Sequence, residues 1–339
     1  MSIEIYWEGL GLGNPYSGIG RYAENIRCEL KCLGVVPKVL GVKASGRIAG
    51  SKLFHPWWSR FELASFPSCG GLVHGLANTN VLPLLPSRYR QILTVHDVIP
   101  LFPDAGVSRL SASVFSWALS QALKRADLIL VPSELTKRYL ESYEPQLKTV
   151  KVLGYGFPKL QPHIQKNSDE KSKKPVILTV SRWEPYKGFE DLVELVKRSP
   201  DWVFRVVTDR QGSLWLARQL GQKRNLEVFS EVSSEVLQGF YREASLVLQP
   251  SRYEGFGLPV AEALSFCKPV VFRRGTAAEE FAPRFLGSAY SCPEEAFEVM
   301  KRLVQQDWSD DLKVWFQSHA KTWENYATDL ASEYHDMIS

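Results

Sequence analysis

The chain reads as an α/β protein: two doubly wound parallel-sheet domains of Rossmann-like type. Three observations predict this. Strand-like and helix-like segments alternate along the length, the pattern of parallel sheets joined by helical crossovers. The 339 residues suit two domains of ordinary size rather than one. A polar break at 158–175, containing QPHIQKNSDEKSKK, separates two such series near the middle.

In the first series Ile3–Trp7 is an apolar strand, and Gly18–Leu33 is a helix entered from a glycine-rich turn. Gly71–His74, Ile92–Val95 and Leu128–Val131 are further short strands. Ser133 stands where an N-cap belongs, before ELTKRYLESY, and Val150–Leu153 closes the series. After the break, Val176–Val180 is a strand and Phe189–Arg198 a helix. Val203–Thr208, Leu226–Phe229 and Leu246–Gln249 follow as strands, then the helix Pro259–Phe266 and the strand Pro269–Phe272. The tail from about Pro293 is helical, with Trp308, Trp315 and Trp323 read as core. The predicted domains are 1–156, 157–318 and a last helix, 319–339; a cleft between the two halves is the natural ligand site.

Composition narrows the class. The chain is 45% hydrophobic and 23% charged, typical of a folded soluble protein, and no apolar run approaches the roughly 20 residues that span a bilayer. MSIEIYWEGL lacks the basic flank of a secretory leader, so a cytoplasmic location is expected, extending to the inner face of a membrane. The five cysteines are read as reduced thiols, since Cys28 and Cys32 have no second pair to complete a zinc site. Charge is uneven: residues 1–155 hold 17 Lys+Arg against 11 Asp+Glu, a net of +6, and residues 156–339 hold 24 against 26, a net of −2. A basic first half suits an anionic surface or acceptor, or is simply a solvated surface. No nucleic-acid partner is expected.

The most informative stretch is Val247–Val271, VLQPSRYEGFGLPVAEALSFCKPVV. Gly255 and Gly257 allow close backbone approach and positive φ, and Pro259 suits a first helical position. The N–H groups of Gly257, Leu258 and Val260, with the helix dipole, favour an anion. Glu262, about one turn into the helix, can accept from a ribose diol, and Glu254 would face the sugar side. Gly, Pro and Glu are also ordinary in any strand-to-helix turn. Upstream, SRWEPYKG follows VILTV, and Arg182 and Lys187 can converge on one diphosphate, as fork and as point charge. They are also consistent with two solvated surface charges. Two cations and two carboxylates at strand ends suit a sugar nucleotide.

Other positions are more ambiguous. Ser17-Gly18-Ile19-Gly20-Arg21 can cradle phosphate or form a mobile loop, but lacks the third glycine of a dinucleotide fingerprint. His96, at the carboxyl end of LTV, either bonds a sugar hydroxyl or is a structural His; His74 leans to the structural role. Lys43–Phe61 mixes basic and aromatic residues, which suits peripheral membrane contact or a loop folding its aromatics onto the domain. There is no Asp-x-Asp, so metal independence is expected; no Gly-x-Ser-x-Gly, His-Glu-x-x-His or P-loop string is present either.

These strings carry a resemblance. SRYEGFGLPVAEALSFCKPVV, SRWEPYKG, SGIGRYAENI, LTVHDVIPLF, ADLILVPSELTKRYL and the late WENYA are similar to the family 4 retaining glycosyltransferases of GT-B fold. The resemblance implies two Rossmann-like domains facing a cleft, the last helix crossing back to the first, and a nucleoside-diphosphate sugar as substrate, with no cofactor and no metal. By matching positions it assigns Arg182 and Lys187 to the diphosphate, Glu254 and His96 to the sugar, and Glu262 to the ribose. Gly255, Phe256, Gly257 and Leu258 fall in the donor turn, and Gly18 and Gly20 near the phosphates. It leans toward mannosyl- or rhamnosyl-type transfer in polysaccharide or glycolipid assembly, with a glycan or lipid-linked acceptor. The sequence departs from the pattern near Glu279, where Arg273 and Arg274 precede the turn and no Pro precedes the Glu. A sugar-nucleotide epimerase or a phosphorylase of the same fold, and a non-catalytic nucleotide-sugar-binding partner, are the alternatives. A NAD-dependent dehydrogenase is more distant.

Overall fold

The computed structural model describes residues 4–9, 18–41, 55–64, 70–162, 174–230 and 232–338. The chain divides into two compact units. One comprises Met1–Pro103, Val107–Gly156 and Lys321–Ser339; the other comprises Asp104–Gly106 and Phe157–Ala320.

The first unit contains β1 (Glu4–Glu8), α1 (Gly18–Cys32), β2 (Lys38–Leu40), α2 (His55–Ala64), β3 (Gly71–Gly75), β4 (Tyr89–Thr94), α3 (Arg109–Arg125), β5 (Leu128–Val131), α4 (Glu134–Tyr143) and β6 (Thr149–Val152). The strands form one parallel sheet in the order β2-β1-β3-β4-β5-β6. Every residue of β5, LILV, is buried, as expected of a strand covered on both faces. Leu119 and Leu123 of α3 and Leu140 of α4 pack with Leu93 and Ile129 of the sheet. Ser133 caps α4 as the sequence suggests, its hydroxyl accepting from the Thr136 N–H at 3.1 Å.

The second unit contains β7 (Val176–Val180), α5 (Phe189–Arg198), β8 (Val203–Thr208), α6 (Arg210–Leu220), β9 (Leu226–Ser230), α7 (Ser234–Glu243), β10 (Leu246–Gln249), α8 (Leu258–Ser265), β11 (Val270–Arg273), α9 (Ala278–Phe281), β12 (Ala289–Tyr290), α10 (Pro293–Leu303) and α11 (Ser309–His319). Its sheet is also parallel, in the order β9-β8-β7-β10-β11-β12. Counted from its own first strand, this order builds outward on one side and then restarts on the other. The restart lies between β7 and β10, and in open α/β sheets such a point, at the carboxyl ends of the strands, is where ligands generally bind.

The last helix, α12 (Trp323–Asp336), belongs to the first unit. Its buried face is Trp323, Tyr326, Ala327, Leu330 and Tyr334, the i, i+3, i+4, i+7, i+11 pattern of one helix stripe. The Trp7 indole N–H donates to the Tyr334 hydroxyl at 2.9 Å, and the Tyr22 and Tyr326 hydroxyls lie 2.7 Å apart. Gly156 permits the approach of this helix, since a Cβ there would sit 2.3 Å from the Trp323 Cα.

Sequence and structure differ in places. The sequence reading passes over α3, α6 and α7, whose apolar positions are interleaved with Ser, Gly and charged residues, and over the short β2 and β12. Helix α8 begins at Leu258, not Pro259, because Gly257 in a left-handed conformation already supplies the cap. Pro259 sits at the second helical position, where its missing N–H is still no loss. The four described cysteines, Cys28, Cys32, Cys267 and Cys292, are free.

Candidate functional site

Two loops leave the second sheet at its point of restart. The first follows β7: Ser181–Glu184, a turn of 3-10 helix at Pro185–Lys187, then Gly188, which leads into α5. The second follows β10: Pro250–Phe256 is bounded by Gly257, and α8 follows. Backbone contact holds the loops together. The Arg252 N–H donates to the Tyr186 carbonyl at 2.8 Å, and Gly188 presses on the Pro250 carbonyl so closely that a Cβ would come within 2.0 Å of its oxygen. With φ at +67°, position 188 requires glycine on both counts.

This stitching brings Lys187 and Glu254 together. Lys187 Nζ lies 2.7 Å from Glu254 Oε1, in a pair whose side chains are only 17% and 13% exposed. The Tyr186 ring lies 5.1 Å from the same ammonium. A second donor reaches that oxygen: the Gln249 amide nitrogen, at 2.6 Å. Arg182 is exposed, and its side chain makes no hydrogen bond or ion pair with a described residue. Tyr253, on the same loop as Glu254, donates to the Asp104 carboxylate, 2.7 and 2.8 Å from its two oxygens.

The start of α8 is partly as expected. The Gly257 and Leu258 N–H groups have no partner among the described residues. The Val260 N–H is committed to the Gly257 carbonyl at 3.0 Å, so the expected trio of donors is a pair. Two unpaired N–H groups at a helix start carry partial positive charge and favour an anion. Gly255 lies in the turn between Glu254 and Phe256. Phe256 is buried and stacks on Phe281 with ring centres 4.5 Å apart, which fixes the turn from behind.

Glu262 is 5% exposed. Its Oε2 accepts from the Tyr241 hydroxyl of α7 at 2.7 Å, and the Tyr241 ring stacks on Phe266 at 5.3 Å. Behind the loops Asp191, in the first turn of α5, pairs with Arg273 and accepts from the Tyr290 hydroxyl at 3.0 Å. The departure near Glu279 has a simple outcome: its carboxylate accepts from the Gly275 N–H and caps the turn.

The remaining predicted positions lie in the first unit. Gly18 is exposed at the start of α1 and Gly20 is buried in it; the lead-in at 10–17 lies outside the described residues. His96 is 8% exposed, and both ring nitrogens are engaged. Nε2 lies 2.6 Å from the Leu76 carbonyl, which can only accept, so Nε2 carries the proton. Nδ1 then accepts from the Tyr155 hydroxyl. Burial holds the His96 pKa down to about 4 and that of His74 to about 3, so both rings are neutral. His74 bonds Tyr334 at 2.7 Å and Thr94 at 2.8 Å, a structural arrangement. Of the Lys43–Phe61 segment, 43–54 lies outside the described residues, while Phe61 is exposed.

Gln249 and Tyr241 were missed by sequence reasoning. A polar residue closing the apolar strand LVL was a usable signal for Gln249. Tyr241 lies 21 residues before its carboxylate partner, and no spacing rule joins them. Among the described residues no group of three or more His, Cys, Asp or Glu is placed to hold a metal. No helix among them is long and apolar enough to cross a membrane.

Comparison with known proteins bears on the fold and on the second unit. Residues 161–326, almost the whole second unit, match the family described as glycosyl transferases group 1. The trehalose synthase of Pyrococcus horikoshii is 26% identical over 166 residues, 44% of this chain and 37% of that protein. The O-antigen chain mannosyltransferase RfbU of Salmonella typhimurium is 28% identical over 194 residues, 55% of this chain and 53% of it. The matched stretches thus span about a third to a half of these curated relatives. Among solved structures, a sucrose-phosphate synthase of Thermosynechococcus elongatus superposes with a TM-score of 0.79 at 14% identity, covering 99% of both chains. HepE of Anabaena, in complex with UDP and glucose, gives 0.74 at 15% identity over 98% of this chain and all of the other. Two Rossmann-like parallel-sheet units thus make the GT-B fold, and residues 161–326 of it match the model of the glycosyl transferases group 1 family.

Proposed function

We propose that the chain is a retaining glycosyltransferase that moves a sugar from a nucleoside diphosphate to an acceptor hydroxyl without a metal ion. One observation carries the reading: Lys187 and Glu254 are joined at 2.7 Å on the loops after β7 and β10, next to the unpaired N–H groups that open α8. A cation and a helix start suit a diphosphate; a carboxylate beside them suits sugar hydroxyls. The UDP and glucose bound to HepE, and the mannosyltransferase activity in the name of RfbU, support a nucleotide-sugar donor.

The hard step is departure of the diphosphate as positive charge grows on the sugar. Lys187 turns from Glu254 to the leaving group, where Arg182 and the N–H groups of Gly257 and Leu258 join it. The two N–H groups are held in place by the start of α8 before the reaction begins, and removing one preorganised donor typically costs about 10²–10³ in rate. The departing phosphate takes the proton of the incoming hydroxyl on the same face of the sugar, which retains the configuration. Glu254 orients the sugar and does not attack it. Glu262, held by Tyr241, accepts from the ribose. His96, neutral and engaged at both nitrogens within the first unit, does not transfer a proton. Transfer to a growing glycan or a lipid-linked acceptor in the cytoplasm, mannosyl- or rhamnosyl-type, is the reading we adopt, with Lys43–Phe61 as a peripheral membrane contact.

The test is nucleoside diphosphate release from UDP-glucose, GDP-mannose and dTDP-rhamnose, with and without EDTA. Lys187→Met and Arg182→Ala should each lower turnover about 10²-fold. Near-normal turnover in both variants would sink the assignment, and activity abolished by EDTA and restored by Mn²⁺ would sink metal independence.

A further inference from the structure

Gln249 ends β10 and is 5% exposed. Its amide nitrogen donates to Glu254 Oε1 at 2.6 Å and lies 3.3 Å from the Ser251 hydroxyl. The amide orientation follows from chemistry, because Glu254 Oε1 accepts from the Lys187 ammonium and so faces the amide nitrogen rather than its oxygen. The consequence is that Gln249 Oε1 is buried with no hydrogen-bond partner among the described residues. A buried amide oxygen without a protein partner costs stability. The three preceding residues of β10 are Leu, Val and Leu, all buried, so an apolar residue at 249 would have served the strand better.

The unsatisfied amide therefore points to a role outside stability. Both donors to Glu254, Lys187 and Gln249, land on Oε1, and Oε2 has no partner among the described residues. The carboxylate is thus anchored by one oxygen and presents the other. Lys187 can anchor it only until a diphosphate draws the ammonium away. Gln249 cannot be drawn away: it is neutral and seated at the end of a buried strand. Being neutral, it also leaves the carboxylate's charge intact.

We propose that Gln249 is a positioning residue, whose amide N–H keeps Glu254 Oε2 aimed at the transferred sugar when Lys187 moves to the leaving diphosphate. This rests on the glycosyltransferase reading above. The experiment uses the full chain and measures nucleoside diphosphate release from UDP-glucose, GDP-mannose and dTDP-rhamnose with water as acceptor, alongside thermal unfolding. Gln249→Met keeps the length and removes the donor. It should lower kcat about 10- to 100-fold, the scale of losing reactant alignment, with the donor KM within about 3-fold. Its Tm should not fall, because the unsatisfied amide oxygen is gone. Gln249→Glu places a second carboxylate against Glu254, and the acid limb of its kcat–pH profile should move up by about one unit or more. Gln249→Met with more than half of wild-type kcat would overturn the role, as would a loss of activity that merely tracks a lowered Tm. An unmoved pH profile in Gln249→Glu would also overturn it. If the wild-type chain releases no nucleoside diphosphate from any of the three donors, the underlying reading fails and Gln249 falls with it; the other outcomes touch Gln249 alone.

Discussion

Lowering the pH from 7 to 5 should loosen the first unit by about 4 kcal/mol, and two buried histidines set that figure. Burial holds His74 and His96 down to about 3 and about 4 in the folded chain, against an ordinary value of 6.5. Their folded pKa values are depressed, so the unfolded chain takes up protons first as pH falls. The stability they confer is fully present above 6.5 and drains away as pH falls toward about 4 for His96 and about 3 for His74. At pH 5 an unfolded histidine sits about 1.5 units below its pKa, at about 1.4 kcal/mol per unit, so each ring contributes a loss of about 2 kcal/mol. At pH 7 the loss is nearly zero. Carboxylates with lowered values, such as Glu4 and Glu24, begin from an ordinary 4.5 and enter only below this window. The two rings bond Tyr334, Thr94, Tyr155 and the Leu76 carbonyl, tying β3 and β4 to α12. The assay is hydrogen exchange by mass spectrometry on peptides of α12 and β1, corrected for intrinsic rates. Opening free energies that fall by less than about 1 kcal/mol between pH 7 and pH 5 would refute the reasoning.

Two further outcomes follow from the second unit. Glu262→Ala should raise the donor KM about 10- to 100-fold and leave kcat within about 3-fold, since a ribose contact is made equally in ground and transition states; donor titrations decide it. Gly188→Ala should cost about 1–3 kcal/mol from its left-handed backbone alone. It should also lower kcat by pushing apart the loops that join Lys187 to Glu254; thermal unfolding together with turnover measures both.

Much of the fold was legible because parallel strands buried on both faces are written as unbroken apolar runs. VILTV, VFRVVT and LVLQ became β7, β8 and β10 with the expected limits. Helix α5 was equally plain, since Phe189, Leu192, Val193 and Val196 recur at helical spacing behind a glycine. Helices α3 and α6 were not, because Ser, Gly and charged residues dilute their apolar stripes. The candidate site divides in the same way. EGFGLP and EPYKG announce two turns that each bring a ligand-binding type of residue to a strand end, and this depends on local chemistry alone.

The sequence by itself determined the alternation of elements, the two turns and the residue types they carry, because backbone preference and apolar period act over a few neighbours. Only the tertiary structure decided that the turns after β7 and β10 are adjacent, through the strand order of the second sheet. Tertiary packing also decided that Lys187 and Glu254, 67 residues apart, share one ion pair with Gln249 as the second donor, and that Tyr241 holds Glu262. It made His96 a neutral, doubly bonded ring rather than an open one. Such pairings come from long-range packing, where which strand lies beside which sets the partner of every polar group, and no local spacing encodes that choice.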